Sequence, residues 1–183
     1  MAIRVYKGSR VNEPGAVDMV NVQRQALRAG ASGHYSSEEI AAWTESVTTA
    51  YYLKLPDTFR IITYLDCQHS DDSEFLTGFA VVGTRTRRLT SLYVHPEHWR
   101  RGVGRMLLQQ ARPWIDTLVS PRSAVPFFEA NGFRSAGEAI CELGGRKVSC
   151  VKLTVDDGLA RRGDAAAEPG DCTAEPPMKK SRR

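Results

Sequence analysis

Three arginines and two glycines fall in one short run, Trp99-Arg100-Arg101-Gly102-Val103-Gly104-Arg105. The run follows the apolar stretch Leu92-Tyr93-Val94 and leads into Val103, Met106, Leu107 and Ala111, apolar at helical spacing. A strand therefore feeds through a glycine-bearing turn into a helix. Glycine lets the backbone approach a ligand closely, and the unpaired N–H groups at a helix N-terminus favour phosphate oxygens. Arg100, Arg101 and Arg105 add positive charge at the same point. The chemistry this arrangement suits is the holding of a pyrophosphate. A glycine-capped helix start with solvated arginines is the plain alternative, and the clustering of arginines in a strand–turn–helix setting weighs against it. The dinucleotide fingerprint needs a third glycine where Leu107 stands, and no GxxxxGK[ST] run occurs, so neither a Rossmann site nor a P-loop is expected.

Other chemistry-bearing residues are scattered. Tyr35 and Trp43 are candidates to line an acceptor pocket, with simple packing as the alternative. His95 with Pro96 suits a turn, while His34, His69 and His98 have no partnered carboxylate spacing and read as surface. Cys67, Cys141, Cys150 and Cys172 form no CxxC pair and no zinc spacing, so no metal is expected.

The elements that must position these residues follow from period and punctuation. Strands are expected at Ile3–Tyr6, Phe59–Asp66, Phe75–Gly83, Arg88–Val94 and Asp116–Ser120. A helix runs from Pro14 to about Ala29, with Gly30 at its end. Ser36 and Glu39 form a capping box that opens a helix through Ile40, Trp43, Val47 and Tyr51. The helix from Val103 is stopped or kinked at Pro113, and another spans Ser123–Asn131 with Ser123 as its N-cap. A hairpin turns at Gly144-Gly145, which sets Cys141 opposite Val148 and makes Cys150 a diagonal neighbour, too far for an unstrained disulfide.

The 183 residues suit one domain with a tail. Composition breaks near Asp156: residues 1–155 form the domain, and 156–183 read as a disordered tail with six acidic and six basic residues. The net charge of +4 thus belongs to the body and suits a small anionic ligand better than a nucleic acid. The basic end, Lys179-Lys180-Ser181-Arg182-Arg183, reads equally as a nuclear address or as a solvated tail. No window approaches ~18 consecutive apolar residues, and no basic-then-apolar run opens the chain, so an intracellular protein is expected, with no membrane partner.

The cradle resembles the acetyl-CoA-binding motif of the GNAT family of N-acetyltransferases, [QR]-x-x-G-x-[GA] after a strand, through Gly102 and Gly104. Trp99 stands where the family usually has Gln or Arg. Ala124-Val125-Pro126-Phe127-Phe128-Glu129-Ala130-Asn131-Gly132-Phe133 resembles the family's Phe-Tyr-Glu helix, and Tyr35-Ser36-Ser37-Glu38-Glu39-Ile40-Ala41-Ala42-Trp43 is similar to the first helices of one of its subfamilies. The resemblance spans about residues 2 to 155. It implies an α/β fold: a mixed, twisted sheet of about six to seven strands with helices on both faces, splayed where the pantetheine arm enters. It further implies acetyl-CoA as cosubstrate, with Leu92, Tyr93 and Val94 supplying main-chain groups and Arg100, Arg101, Gly102, Val103, Gly104 and Arg105 cradling the pyrophosphate. Between Gly104 and Phe128 the chain is about two helical turns shorter than is usual there, so the helix after the cradle must be stubby.

The implied reaction is acetyl transfer to a primary amine of a small molecule or protein. Many family members protonate the leaving thiolate with a tyrosine where this chain has Phe128, and histone-directed members carry a glutamate base where it has Arg88. Neither role carries over, so no catalytic acid or base is assigned; Phe128 joins Tyr35 and Trp43 as a candidate substrate contact. The alternative is a catalytically silent acyl-CoA-binding module with a nuclear interaction role.

Overall fold

The computed structural model describes residues 2–31, 33–67, 74–143 and 145–156. The polar loop at 68–72, Gly144, and the tail with its basic end lie outside the described residues. Seven strands form one sheet in the order β1 (Ala2–Lys7), β2 (Phe59–Cys67), β3 (Glu74–Gly83), β4 (Arg88–Val94), β5 (Thr117–Pro121), β7 (Arg146–Val155) and β6 (Phe133–Leu143). β4 and β5 pair in parallel; every other neighbouring pair is antiparallel. The expected mixed sheet is what forms.

Alternation along β3 divides the core between the two faces. Ala80 and Val82 join Leu107, Leu118 and Phe128 on the side of helices α4 (Val103–Ala111) and α5 (Val125–Glu129). Phe79 and Val81 join Met19, Trp43 and Tyr52 on the side of α1 (Glu13–Gly30), α2 (Ser37–Ser46) and α3 (Thr49–Leu53). α4 is stubby, nine residues long, and passes straight into a 3-10 turn at Arg112–Trp114.

Local signals hold where the interaction is local. Ser36 and Glu39 make both bonds of the capping box. The hairpin pairs Leu143 with Arg146 and Cys141 with Val148, while Cys150 lies opposite Ala139; Cys141 and Cys150 are thiols with no disulfide.

Two expectations need correction. The helix from Ser37 does not run to Tyr51: it ends at Ser46, and α3 starts afresh at Thr49. Arg24 of α1 donates to the carbonyls of Thr44 (3.2 Å) and Val47 (2.8 Å), which ties down the helix end beside the β-branched run Val47-Thr48-Thr49. Ser123 is not an N-cap. It sits inside a 3-10 turn, Arg122–Ala124, and α5 begins at Val125 with no side-chain cap. A cap at Ser123 would offer its oxygen to the third helical N–H, and that position is Pro126, which has none.

Tyr52 is fully buried and donates its hydroxyl to the Gln23 side chain. Burial pushes its pKa well above 10.0. Above about pH 10 the unfolded chain loses this proton while the folded one keeps it. The unfolded state then binds fewer protons, so stability falls as pH rises. Tyr52→Phe should therefore flatten the decline measured by urea unfolding between pH 9 and 11, and cost about 1–2 kcal/mol at pH 7 by leaving Gln23 without its partner.

Candidate functional site: a splayed sheet and an open helix end

β4 and β5 run together for only two pairs, Arg88 with Thr117 and Leu89 with Leu118. Thr90 is an extra residue against β3, whose Val81 and Val82 pair with Ser91 and Leu89. A bulge of this kind bends its strand, and here it falls where the two parallel strands part. Beyond it β5 pairs with β7, out to Pro121 opposite Cys150. The closed end of the V is pinned by Arg87, which grips Asp116 through both carboxylate oxygens. The open end is fixed by Tyr35. Its hydroxyl donates to the Ser149 carbonyl of β7 (2.9 Å) and accepts from the Arg122 N–H just past β5 (3.1 Å).

The V opens into a cleft of about 730 Å³ that passes through the sheet, within the usual range for a small-molecule site. Leu92, Tyr93, Val94, Arg100, Gly102, Val103, Gly104 and Arg105 all line it. Of the expected cradle residues only Arg101 does not; it is exposed, with its charge beside His98. α4 starts at the cleft. Gly102, its N-cap, has φ +84° and supplies no side-chain cap, and the first intrahelical bond runs from the Met106 N–H to the Gly102 carbonyl. The N–H groups of Val103, Gly104 and Arg105 precede that bond, so they stand outside the helix ladder at the end that attracts anions. Open space surrounds Gly102, and beside Gly104 the nearest side chain is Phe127 of α5. The start of α4 is thus open to the cleft, with space at Gly102 and three N–H groups outside the helix ladder.

Arg100 has φ +62°, a left-handed conformation uncommon for a residue with a Cβ. The 3-10 turn Pro96–His98 and Trp99 deliver the chain into it. The indole N–H of Trp99 donates to the Val94 carbonyl at 2.7 Å, which closes the cradle turn back onto the end of β4. Its ring also lies against the last residue of α1, since a Cβ at Gly30 would sit 3.2 Å from it. Trp99 thus acts where the sequence suggests a lost contact: it ties the cradle to both β4 and α1. His98, which reads as surface in the sequence, lines the cleft instead; His34 is exposed as expected, and His69 lies outside the described residues. Burial, reinforced by Arg101, lowers the pKa of His98, so the imidazole is neutral at pH 7 and the arginines carry the cradle's charge. His95 shapes the turn, its Nδ1 accepting from the Glu97 N–H at 3.4 Å.

The three candidate substrate contacts fare differently. Trp43 is buried and lines the α1–α2 side of the cleft, with Tyr35 edge-on at 6.0 Å. Tyr35 itself is absent from the lining and spends its hydroxyl on the strap described above. Phe128 lines the cleft but is also core, packed edge-on against Phe133 at 5.8 Å.

Residues 64–135 match the family model of the acetyltransferase (GNAT) domain, a span from the middle of β2 to the start of β6 that includes the whole cradle. Over 126 residues the chain is 29% identical to the uncharacterized N-acetyltransferase YafP of Escherichia coli strain K12, a match covering 66% of this chain and 76% of that protein. Its fold is similar to a GCN5-related N-acetyltransferase from Rhodopseudomonas palustris, with TM-score 0.69 and 18% identity over 84% of this chain and 94% of that one. It is similar too to the PaiA N-acetyltransferase of Thermoplasma acidophilum, solved in complex with coenzyme A, with TM-score 0.57 and 19% identity over 85% of this chain and 99% of that one. The matched stretch therefore holds the splay, the bulge at Thr90 and the open end of α4 within one continuous run of chain.

Proposed function

We propose that this protein is an acetyl-CoA-dependent N-acetyltransferase that moves an acetyl group to a primary amine within the splay of β4 and β5. The observation that carries this reading is the coincidence of two features inside the GNAT match. One is a parallel strand pair that parts after two residues; the other is a helix N-terminus left open at the mouth of the gap. The match speaks for an enzyme and gives the silent binding module no support. No helix among the described residues is long and apolar enough to cross a membrane.

Acetyl-CoA, as cosubstrate, supplies an acetyl thioester. The unpartnered edge of β4 from Ser91 to Val94 offers main-chain groups to a pantetheine arm, as a missing strand would. The N–H groups opening α4, with Arg100 and Arg105, suit the pyrophosphate. The acceptor nitrogen bonds to the acetyl carbon, the carbon–sulfur bond breaks, and the proton shed by nitrogen ends on the departing thiolate. Phe128 has no proton to give, and Arg88 lies at the closed end of the V, paired with Thr117. Neither serves as acid or base. The acceptor then arrives as the neutral amine, and its proton passes to sulfur directly or through solvent.

Free-thiol release from acetyl-CoA over a panel of amines tests this reading. With alkyl amines in the panel, activity should rise with pH as the acceptor loses its proton. The high-pH decline that a tyrosine acid imposes near its pKa of about 10 should be missing. Tight acetyl-CoA binding with no turnover of any amine at any pH would mark the protein as a binding module instead.

The tie made by Trp99 gives a second test. Trp99→Phe removes the N–H that holds Val94 and keeps most of the ring. Acetyl-CoA affinity should fall about three- to tenfold, the loss of one hydrogen bond of about 1 kcal/mol, with the melting temperature nearly unchanged. Equal affinity by calorimetry would show that the cradle keeps its shape without the indole.

A further inference from the structure

The acetyltransferase reading leaves the acceptor open, and the far end of the cleft speaks to it. Resting on that reading, we propose that the acceptor is a planar aromatic primary amine, an aryl amine, which enters from the α1–α2 side and lies against Trp43.

The first reason is shape. On that side the cleft is walled by Leu27, Ala31, Trp43 and Tyr93. Trp43 is held from behind by Tyr35, whose ring meets it at 88°. Tyr35 is in turn fixed by its two hydrogen bonds to β7 and the end of β5. Tyr93 is set against Phe79 at 5.8 Å. The aromatic walls are thus positioned before any ligand arrives, and a flat, rigid acceptor loses least freedom on entering.

The second reason is charge. Among the described residues, the side chains lining the cleft that are charged at pH 7 are Arg100 and Arg105, both cationic. Burial raises the pKa of Tyr35 and of Tyr93, so both stay neutral and give no counter-charge to an ammonium. A lysine-like alkyl amine, with a pKa of about 10.4, would have to shed its proton and its hydration in a slot whose described lining offers no carboxylate to hold an ammonium. An aryl amine is neutral at pH 7 because its ring draws on the nitrogen lone pair, so it meets neither penalty.

p-Toluidine and benzylamine are isomers that differ in where the nitrogen sits, so they separate ring from basicity. With the full chain and saturating acetyl-CoA, thiol release at pH 7 should show kcat/KM at least about tenfold higher for p-toluidine, the gap narrowing toward pH 9 as benzylamine loses its proton. The dication putrescine should be the poorest of the three. Trp43→Leu should raise KM for p-toluidine at least about fivefold with the Kd of acetyl-CoA unchanged. Should that variant not fold, Tyr35→Phe, which removes only the strap's hydroxyl, should raise the same KM. Turnover of putrescine or benzylamine in preference to p-toluidine overturns the acceptor assignment and leaves the acetyltransferase standing. An unchanged KM in the folded variant overturns the Trp43 wall. Failure of every amine to release thiol overturns both readings together.

Discussion

Gly104→Asp should weaken acetyl-CoA binding by at least about a hundredfold, a loss of roughly 2.7 kcal/mol, while the domain stays folded. Folding should survive for two local reasons. A Cβ at Gly104 would meet the Phe127 ring at 3.4 Å, the distance of ordinary contact. A carboxylate in the first turn of α4 also suits the positive end of the helix dipole. The same preference is what harms binding. The new carboxylate occupies the N–H groups that a pyrophosphate needs and repels its charge in a partly desolvated cleft. Calorimetry with acetyl-CoA and a thermal melt together check the two halves. Unchanged affinity would remove the cradle from the cofactor site, whereas an unfolded variant would show that the contact with Phe127 is tighter than it looks.

Gly78→Val should both destabilise the domain and disturb the site. A Cβ at Gly78 would lie 3.0 Å from the Tyr93 carbonyl oxygen, 3.1 Å from Leu107 Cδ1 and 3.3 Å from Val103 Cγ1. The carbonyl belongs to β4 and cannot step aside, and the other two atoms belong to α4. Valine adds further carbons beyond Cβ, so α4 must lift from the sheet. Overpacking of this kind costs about 1–3 kcal/mol, and the upper end lowers the melting temperature of a domain this size by roughly 5–10 °C. α4 also carries the cradle, so acetyl-CoA affinity should fall at least about tenfold. Gly78→Ala should show the same effects in smaller measure. A variant with wild-type melting temperature would mean that β3 and α4 are not in the close contact described.

The two predictions differ in how far sequence alone reaches. Gly104 is legible as a cradle residue because a turn, a helix start and three arginines are consecutive. Gly78 carries no such signal: it sits inside an apolar strand, and only the approach of α4 from 25 residues further along makes its missing side chain necessary. The bulge at Thr90 is equally silent, since it depends on the register that β3 adopts. Trp99 reads as a missing contact because the bond it makes, to Val94 five residues back, exists only once the turn has curled.

The capping box at Ser36, the hairpin register around Gly144-Gly145, the short α4 and its glycine-bearing, arginine-flanked start are all legible in the order of residues alone. Each of these rests on groups a few residues apart, whose geometry the backbone fixes with little help. Tertiary structure decided the rest. Arg24 ended α2 by reaching 23 residues along the chain to Val47, and Tyr35 set the mouth of the cleft through a bond to Ser149, 114 residues away. The parting of β4 from β5 belongs to the same class, because a parallel pair is joined only through an intervening crossover and its strands meet only once the fold has formed. β5 stays paired with β7 on its other edge along its whole length, while β4, bulged at Thr90, leaves it after Leu89 and keeps an open edge from Ser91 to Val94.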